Sequence, residues 1–298
     1  MQRAAAGRTI AKRGGPAMKL LLLSVLALSP VWCATAWAGY EEGLSAFAKG
    51  DFEAVQKEWR PLAERGDKGA QHSMGWMYAN GRGVPQDDDK AIAWFRKSAA
   101  QGYADAQNSL GNMYASGRGV ARDDAQAVVW YRLAALQGNA PAQNNMGWML
   151  ASGRGVERND AAAVAWYRKA VKRGNAAAQN NLGTMYLQGR SVLQDFQQAA
   201  SWYRLAAARG QSAAQRNLGL LYRDGKGVAR HPLLAYAWLN LAAAGGHPKA
   251  VEERDQVARG LTREQLEQAQ RLSAEWKPGT LMAEVKYAGD ARAPAARP

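Results

Sequence analysis

Residue identities in this chain repeat every 36 positions, and this periodicity limits the possible folds more than any other feature. A glycine recurs at Gly75, Gly111, Gly147, Gly183 and Gly219, without drift. A tryptophan recurs at the same interval, at Trp94, Trp130, Trp166, Trp202 and Trp238. A period of this length is typical of arrays in which one supersecondary unit stacks on the next.

Each repeat has the pattern of two helices joined by a glycine loop. In residues 105–140, Ala106, Leu110 and Tyr114 lie on one face at 100° per residue, which predicts an amphipathic helix. The loop Gly117-Arg118-Gly119-Val120 ends that helix, and Asp123 or Asp124 is placed to cap the next one. The small and bulky residues alternate so that the two helices can pack closely.

The sequence therefore predicts an all-α, superhelical solenoid of about five 36-residue helix-turn-helix repeats with capping segments at both ends. The expected repeats are 69–104, 105–140, 141–176, 177–212 and 213–248, together 69–248. Residues 39–68 have the pattern of a degenerate N-terminal capping repeat without the long loop. Residues 249–276 contain a C-terminal capping helix that begins near Leu261, and 277–298 have the composition of a disordered tail.

The repeated pattern is A-x-x-x-L-G-x-M-Y-x-x-G-x-G-V-x-x-D-x-x-x-A-x-x-W-Y-R-x-A-A-x-x-G. It resembles the Sel-1-like repeat, a relative of the tetratricopeptide repeat with a longer glycine loop. The pattern departs at Ser191, which replaces a loop glycine, and at His231-Pro232, which replaces the acidic cap. The resemblance implies an adaptor in envelope assembly, signalling or host contact, since proteins of this family act as binding scaffolds.

The N-terminus has the pattern of a secretory signal peptide over residues 1–38. A basic stretch ends at Lys19, an apolar segment runs from Leu20 to Leu28, and small residues precede a predicted cleavage after Ala38. The translation start is either Met1 or Met18. An uncleaved membrane anchor is the alternative, because 20–38 is uncharged and just long enough to span a bilayer. We expect a periplasmic or secreted protein without a stable membrane span after cleavage.

Charge and cysteine content limit the function classes. The formal net charge is +14, and about +9 remains without residues 1–38, which hold five basic and no acidic residues. A chain this basic attracts anionic partners, although the charge is spread along it. The single cysteine, Cys33, lies in the predicted signal, so we expect no disulfide and no thiolate nucleophile afterwards.

Enzyme motifs are absent from the sequence. It contains no HExxH, phosphate-binding loop or G-x-S-x-G motif, and the three histidines His72, His231 and His247 are scattered along the sequence. The run Asp87-Asp88-Asp89 lacks the ligand spacing of a calcium loop and is interpreted as a helix start. We therefore predict that the protein is not an enzyme and has no catalytic, cofactor or metal site.

The first helix of each repeat carries the predicted partner-binding residues, on the face opposite its core residues. First helices usually line the concave surface of such solenoids. The candidates are His72, Trp76, Asn108, Asn112, Asn144, Trp148, Asn180, Thr184 and Arg216. Asparagine amides can bind an extended backbone, and exposed tryptophan is a typical binding anchor. The alternative is that Trp76 and Trp148 pack against neighbouring first helices.

A basic loop ladder occupies equivalent loop positions, at Arg82, Arg118, Arg154, Arg190 and Lys226. A second basic series follows the aromatic pair of the second helix, at Arg96, Arg132, Arg168 and Arg204. Stacked cations could bind an anionic polysaccharide or an acidic protein. The alternative is that they are surface residues partly paired with Asp88, Asp124 and Asp160.

Two functions remain from the sequence. The first is an exported scaffold or adaptor that binds a protein or peptide along the concave face. The alternative is an envelope glycan-binding protein, for peptidoglycan or exopolysaccharide, that uses the tryptophans and the basic ladders. Nucleic acid is not an expected partner for an exported chain.

Overall fold

The computed structural model describes residues 30–280 and residue 282, and this part of the chain contains fourteen α-helices and no strand. The helices are α1 (Pro30–Lys49), α2 (Phe52–Glu64), α3 (Lys68–Asn80), α4 (Asp88–Ala100), α5 (Ala104–Ser116), α6 (Asp124–Leu136), α7 (Ala140–Ser152), α8 (Asp160–Lys172), α9 (Ala176–Gln188), α10 (Phe196–Ala208), α11 (Ser212–Asp224), α12 (Pro232–Ala244), α13 (Ala250–Ala258) and α14 (Arg263–Glu275).

From α1 to α13 each helix packs against the next one in sequence, so the helices form consecutive antiparallel hairpins, and α14 packs against α12. Helices α3 to α12 make the five full repeats. We call the odd-numbered helix of each repeat the first helix and the even-numbered one the second helix. The α1–α2 hairpin and the α13–α14 pair flank the array. The predicted all-α solenoid of about five repeats with capping segments is confirmed.

The loop between the two helices of a repeat has one repeated conformation. The first helix ends at a left-handed glycine, for example Gly117 with φ of 72°, whose N–H donates to the carbonyl of Met113. The second helix begins with a side-chain cap, as at Asp123, which accepts from Gln126 N. The two departures from the pattern keep this geometry, because Ser191 has φ of 56° and His231 caps α12 through Leu234 N.

The repeated glycine of the first helix lets an aromatic residue of the second helix lie directly on the helix backbone. A Cβ added at Gly147 would lie 2.6 Å from the Tyr167 ring, and one at Gly111 would lie 2.5 Å from the Tyr131 ring. Tyr131 is 4% exposed, whereas the tryptophan before it, Trp130, is only half-buried. Of this aromatic pair, Tyr131 is therefore the residue that fills the core in the second repeat.

The C-terminal end contains one helix more than the sequence predicted. Helix α14 has the expected Thr262 cap, which forms a reciprocal capping box with Gln265. Helix α13 was not predicted, and it continues the register of the repeats. Its Ala250 is fully buried and lies 36 residues after the equally buried Ala214 of α11. Both helices pack against α12 and so cover the C-terminal end of the array.

The chain ends lie mostly outside the described residues. Residues 1–29 of the predicted signal peptide lie outside the described residues, and α1 begins at Pro30. The predicted tail, 277–298, is described only at 277–280 and 282, where Gly279 N donates to the Ala208 carbonyl at 2.6 Å. In the described part of the chain, no helix is both long enough and apolar enough to cross a bilayer. Export and cleavage after Ala38 remain predictions.

Candidate functional site

The first helices of neighbouring repeats are joined by a row of side-chain contacts between residues 37 positions apart. The Asn145 amide nitrogen donates to Asn108 Oδ1 at 3.0 Å, and Asn181 donates to Asn144 Oδ1 at 2.9 Å. Asn217 donates to Asn180 Oδ1 at 2.9 Å. At the ends of the row, His72 Nε2 lies 3.2 Å from Ser109 Oγ, and Arg216 pairs with Glu253. We call this row the amide ladder.

The amide ladder corrects part of the predicted binding face. The oxygens of Asn108, Asn144 and Asn180 already accept hydrogen bonds from the following repeat, so they are not open acceptors for a partner backbone. Asn180 is buried, with 8% of its surface exposed, which contradicts its predicted exposure. Arg216 Nε donates to Glu253 Oε2 at 2.7 Å, so its charge is compensated within the chain. These residues join neighbouring repeats in the structure.

A second set of equivalent positions on the first helices, which we call a column, contacts the hydroxyl groups of the buried tyrosines. The Tyr131 hydroxyl donates to Asn112 Oδ1 at 2.8 Å, and the Tyr203 hydroxyl lies 3.0 Å from Thr184 Oγ1. Burial raises the pKa of both phenols to about 12, so they stay protonated at neutral pH. Asn112 and Thr184 therefore have a structural partner beneath them, although Asn112 remains exposed.

Trp148 occupies the same column but has a different environment. It is 41% exposed, and it forms one wall of a pocket of about 280 Å³ between the third and fourth repeats. Tyr167, Asn181, Thr184 and Arg190 are among the other lining residues. The Arg154 guanidinium lies 4.7 Å from the centre of the Trp148 ring, which fixes one face of the indole. The pocket combines an apolar wall with polar groups at its edge.

Trp76 and His72 are more enclosed than the sequence suggested. Trp76 is 36% exposed, but its ring packs edge-on against Phe47 of α1 at 5.1 Å between ring centres. The His72 ring lies 5.5 Å from the rings of both Phe95 and Tyr103, and burial lowers its pKa. Both residues contribute to the junction between the N-terminal hairpin and the first two repeats.

The basic loop ladder is largely an internal structure. Arg118, Arg154 and Arg190 each make two hydrogen bonds to an aspartate 30 residues earlier, at the start of the preceding repeat's second helix. The aspartates are Asp88, Asp124 and Asp160. Each of these arginines also donates to a carbonyl of the preceding first helix, as Arg190 does to Ala151. The alternative reading of these arginines, as residues paired with the three aspartates, is the one the structure supports.

The two ends of the basic loop ladder differ from its middle. Positions 30 residues before Arg82 and Lys226 hold Phe52 and Phe196 in place of aspartate. Both cations are exposed, and neither forms an ion pair within the described residues. In the second basic series, Arg96 and Arg204 donate to the hydroxyls of Tyr114 and Tyr222 at 3.2 and 2.9 Å. Only part of the predicted positive surface is therefore open.

A series of buried glutamines was missed by the sequence analysis. Gln71, Gln107, Gln143, Gln179 and Gln215 are at most 5% exposed. Four of them donate to the last-turn carbonyl of the preceding second helix, as Gln71 does to Ala63 at 3.0 Å. The sequence does show that these glutamines recur every 36 residues, and such regular recurrence of a polar residue indicates a structural role rather than exposure to solvent. Like the amide ladder, they join successive repeats.

The described residues contain no cluster of histidine, cysteine, aspartate or glutamate side chains suited to hold a metal ion. The exposed part of the predicted binding face therefore reduces to Trp148 with its pocket, Asn112 and the partly covered Trp76.

Comparison with known families gives five consecutive matches to the Sel1 repeat, at residues 69–103, 104–139, 140–175, 176–211 and 212–247. No curated protein sequence matches the chain.

Two solved structures resemble this one in both fold and sequence. One is c5321, a protective antigen present in uropathogenic Escherichia coli strains, described as displaying an SLR fold. It is 34% identical with a TM-score of 0.64, and the alignment covers 80% of this chain but 53% of that one. This chain thus spans about half the length of that protein. The other is a Sel1 repeat protein from Oxalobacter formigenes, 29% identical, with a TM-score of 0.68 and coverage of 78% and 96%.

Proposed function

This chain belongs to the Sel1 repeat family, whose members generally act as protein–protein interaction scaffolds, and from that premise we propose that it is an exported adaptor that binds a segment of a partner protein along its first-helix face. The role is one of binding rather than catalysis. The partner would lie across the first helices of the second to fourth repeats, and its main anchor would be the pocket beside Trp148.

The exposure of Trp148 is the observation that carries this proposal. At the equivalent positions Asn112 and Thr184 bind a buried tyrosine hydroxyl, so the fold does not require an indole in this column. Trp148 instead leaves 41% of its surface exposed beside a pocket of about 280 Å³. A rigid aromatic side chain at the edge of a pocket is typical of the few residues that supply most of the free energy of an interface.

A protein segment suits this face better than an anionic glycan does. The glycan alternative depended on open cations beside the tryptophans, yet Arg154 and Arg190 are held by Asp124 and Asp160. The remaining edge of the pocket consists of neutral polar groups, such as Asn181 and Thr184, with the apolar surface of Trp148 and Met185. An apolar or aromatic side chain flanked by main-chain amides matches these groups.

Export forms part of the same proposal and rests on the pattern of residues 1–38. N-terminal sequencing of the protein from the envelope fraction is expected to begin at or near Gly39. Recovery of soluble cytoplasmic protein that retains Leu20–Leu28 would contradict export without affecting the assignment of the binding face.

The proposed binding face can be tested by affinity capture followed by measurement of the captured partner's affinity. The processed chain would be immobilised and exposed to envelope extract of the source organism, and the retained protein identified. Trp148→Ala is expected to weaken binding of that protein by about 2 kcal/mol, or about 30-fold, while the melting temperature stays nearly constant.

Leu136→Ala is the matched control, because Leu136 is 70% exposed but lies on a second helix, α6. It should leave the affinity unchanged. Equal affinity of the parent and Trp148→Ala would contradict the proposed anchor, and retention of a glycan in place of a protein would favour the alternative function. Trp76→Ala is expected to lower the melting temperature instead, since its ring packs against Phe47.

A further inference from the structure

The fifth repeat lacks carboxylates that the earlier repeats use to neutralise their loop cations. In the second and third repeats, a loop arginine pairs with the first residue of the second helix two positions later. These pairs are Arg122 with Asp124 at 2.8 Å and Arg158 with Asp160 at 2.9 Å. In the fourth repeat both partners are replaced, by Gln194 and Phe196. In the fifth repeat the cation remains as Arg230, while the acid is replaced by Pro232.

Arg230 is held in place but its charge is not paired. Its Nε donates to the Arg223 carbonyl at 3.2 Å, at the end of α11, and its side chain is exposed. Within the described residues, its two terminal nitrogens have no hydrogen-bond partner. Lys226 in the same loop also lacks its carboxylate, because the aspartate position of the preceding repeat is Phe196. The loop therefore has two cations that form no salt bridge within the described residues, and the hydrogen bond to the Arg223 carbonyl holds Arg230 in place.

These cations lie around the carboxylate of Asp224, beside a pocket. Asp224 accepts from Arg223 Nε at 2.6 Å, and this hydrogen bond, with the charges of Arg223, Lys226 and Arg230, holds its pKa below the usual range. A pocket of about 260 Å³ lies next to them, between the loop and α13, and Arg223, Arg230, Pro232 and Gln256 contribute to its lining. Glu253 also acts on Arg223, but it is paired with Arg216, so the three cations and Asp224 leave a net positive charge at the mouth of this pocket.

We propose that this pocket, at the junction of the fifth repeat and α13, binds a side-chain carboxylate of an acidic peptide segment, with Arg230 as the main contact. The ligand carboxylate takes the place that Asp124 and Asp160 occupy beside Arg122 and Arg158. A phosphate group fits less well. Helix N-termini bind phosphate through free N–H groups, but α12 begins with Pro232, which has none, and His231 caps Leu234 N. The site is separate from the Trp148 pocket and does not depend on the proposed function.

The test uses fluorescence anisotropy of a fluorescein-labelled hexaglutamate peptide with the processed chain. Arg230→Gln, which copies the fourth repeat, is expected to weaken binding about tenfold. Pro232→Asp, which copies the second and third repeats and supplies an internal carboxylate to Arg230, is expected to weaken it similarly. Circular dichroism melts should show both variants folded, since each residue already occurs at the equivalent position of another repeat.

Arg122→Gln is the matched control, because it removes the same charge from the same loop position where the cation is already paired. It should change the affinity less than about twofold, and Trp148→Ala should not change it. Equal losses in Arg122→Gln and Arg230→Gln would show diffuse attraction to a basic protein and overturn the proposal. Absence of peptide binding by the parent would also overturn it, as would displacement of the peptide by inorganic phosphate more readily than by glutarate.

Discussion

Ser191 is the one described non-glycine residue in the left-handed region of the backbone, with φ of 56°. Its equivalents Gly119, Gly155 and Gly227 have φ between 62° and 69°. A Cβ at Gly155 would lie 2.1 Å from the carbonyl oxygen of Asp124, so the loop of the other repeats has no room for a side chain. The fourth repeat keeps the conformation despite its serine, which stores strain in that loop.

Replacing Ser191 by glycine should therefore stabilise the protein. Ser191→Gly is expected to raise the free energy of unfolding by about 1 kcal/mol, because the left-handed conformation costs a non-glycine residue about that much. Gly155→Ser is the reciprocal change and should cost at least as much. Urea unfolding followed by circular dichroism would measure both, and a loss of stability in Ser191→Gly would show that the serine side chain makes a stabilising contact.

Tyr131 and Trp130 are adjacent in sequence, but Tyr131 is buried in the core whereas Trp130 lies nearer the surface. Tyr131→Ala is expected to cost about 3–5 kcal/mol, because it opens a cavity over Gly111 and leaves Asn112 without its donor. Trp130→Ala should cost clearly less, since Trp130 is half-buried. Thermal and urea unfolding of the two variants would test this order. Equal losses would mean that the indole carries as much of the packing as the phenol does.

At the scale of the helix pair, polar side chains that reach 30 or 37 residues along the chain join successive repeats in addition to the apolar core. Asp124 is the centre of one such junction, because it accepts from Arg122 of its own loop and from Arg154 of the next repeat. The hydrogen bonds from Arg154 and then Arg122 lower the pKa of its carboxyl. A carboxylate with a lowered pKa in the folded state stabilises the fold above its unfolded pKa, which is about 4.

The stability difference between Asp124→Asn and the parent protein should therefore depend on pH. At pH 7 the variant should melt below the parent, because both arginine contacts lose their charged partner. The difference should stay constant down to about pH 4 and shrink below it, as the parent carboxylate is protonated toward its lowered folded pKa. Glu157→Gln, at an exposed loop residue without an ion pair in the described chain, is the control and should show no such trend. A difference that does not depend on pH would contradict the role of the charge.

The hairpins themselves were predictable from the sequence, whereas the contacts between them were only partly so. Periodicity placed Ala106, Leu110 and Gly111 on one face because burial leaves a pattern within a single helix. The amide ladder joins residues 37 positions apart, and nothing within one helix shows that Asn144 and Asn181 meet. For the same reason the pattern of a single helix predicted that Asn180 is exposed, whereas it is buried against the next repeat. Trp148 could be named from the sequence because the tryptophan lies opposite the core residues of its helix, and the equivalent positions of the neighbouring repeats have Asn112 and Thr184.

At the scale of the whole molecule, the array separates structural and functional residues by their departure from the repeat. Residues that recur in all five repeats have structural roles: Gly147 lets the two helices of its repeat pack closely, and Gln143 joins its repeat to the preceding one. Residues that differ from their equivalents while the backbone stays the same are free to serve a partner. Trp148, where the neighbouring repeats have Asn112 and Thr184, is one such departure, and Pro232, which leaves Arg230 without the aspartate of the second and third repeats, is another; each lies beside a pocket.

The measurement that tests the proposed binding face most directly is site-specific photocrosslinking in envelope extract. Benzoylphenylalanine would replace Trp148 on the first-helix face and, in a second variant, the exposed Leu136 of α6 on a second helix. If the first-helix face binds a partner protein, irradiation should give one discrete protein adduct from position 148 and none from position 136. Adducts from position 136 alone, or equally from both positions, would contradict the account.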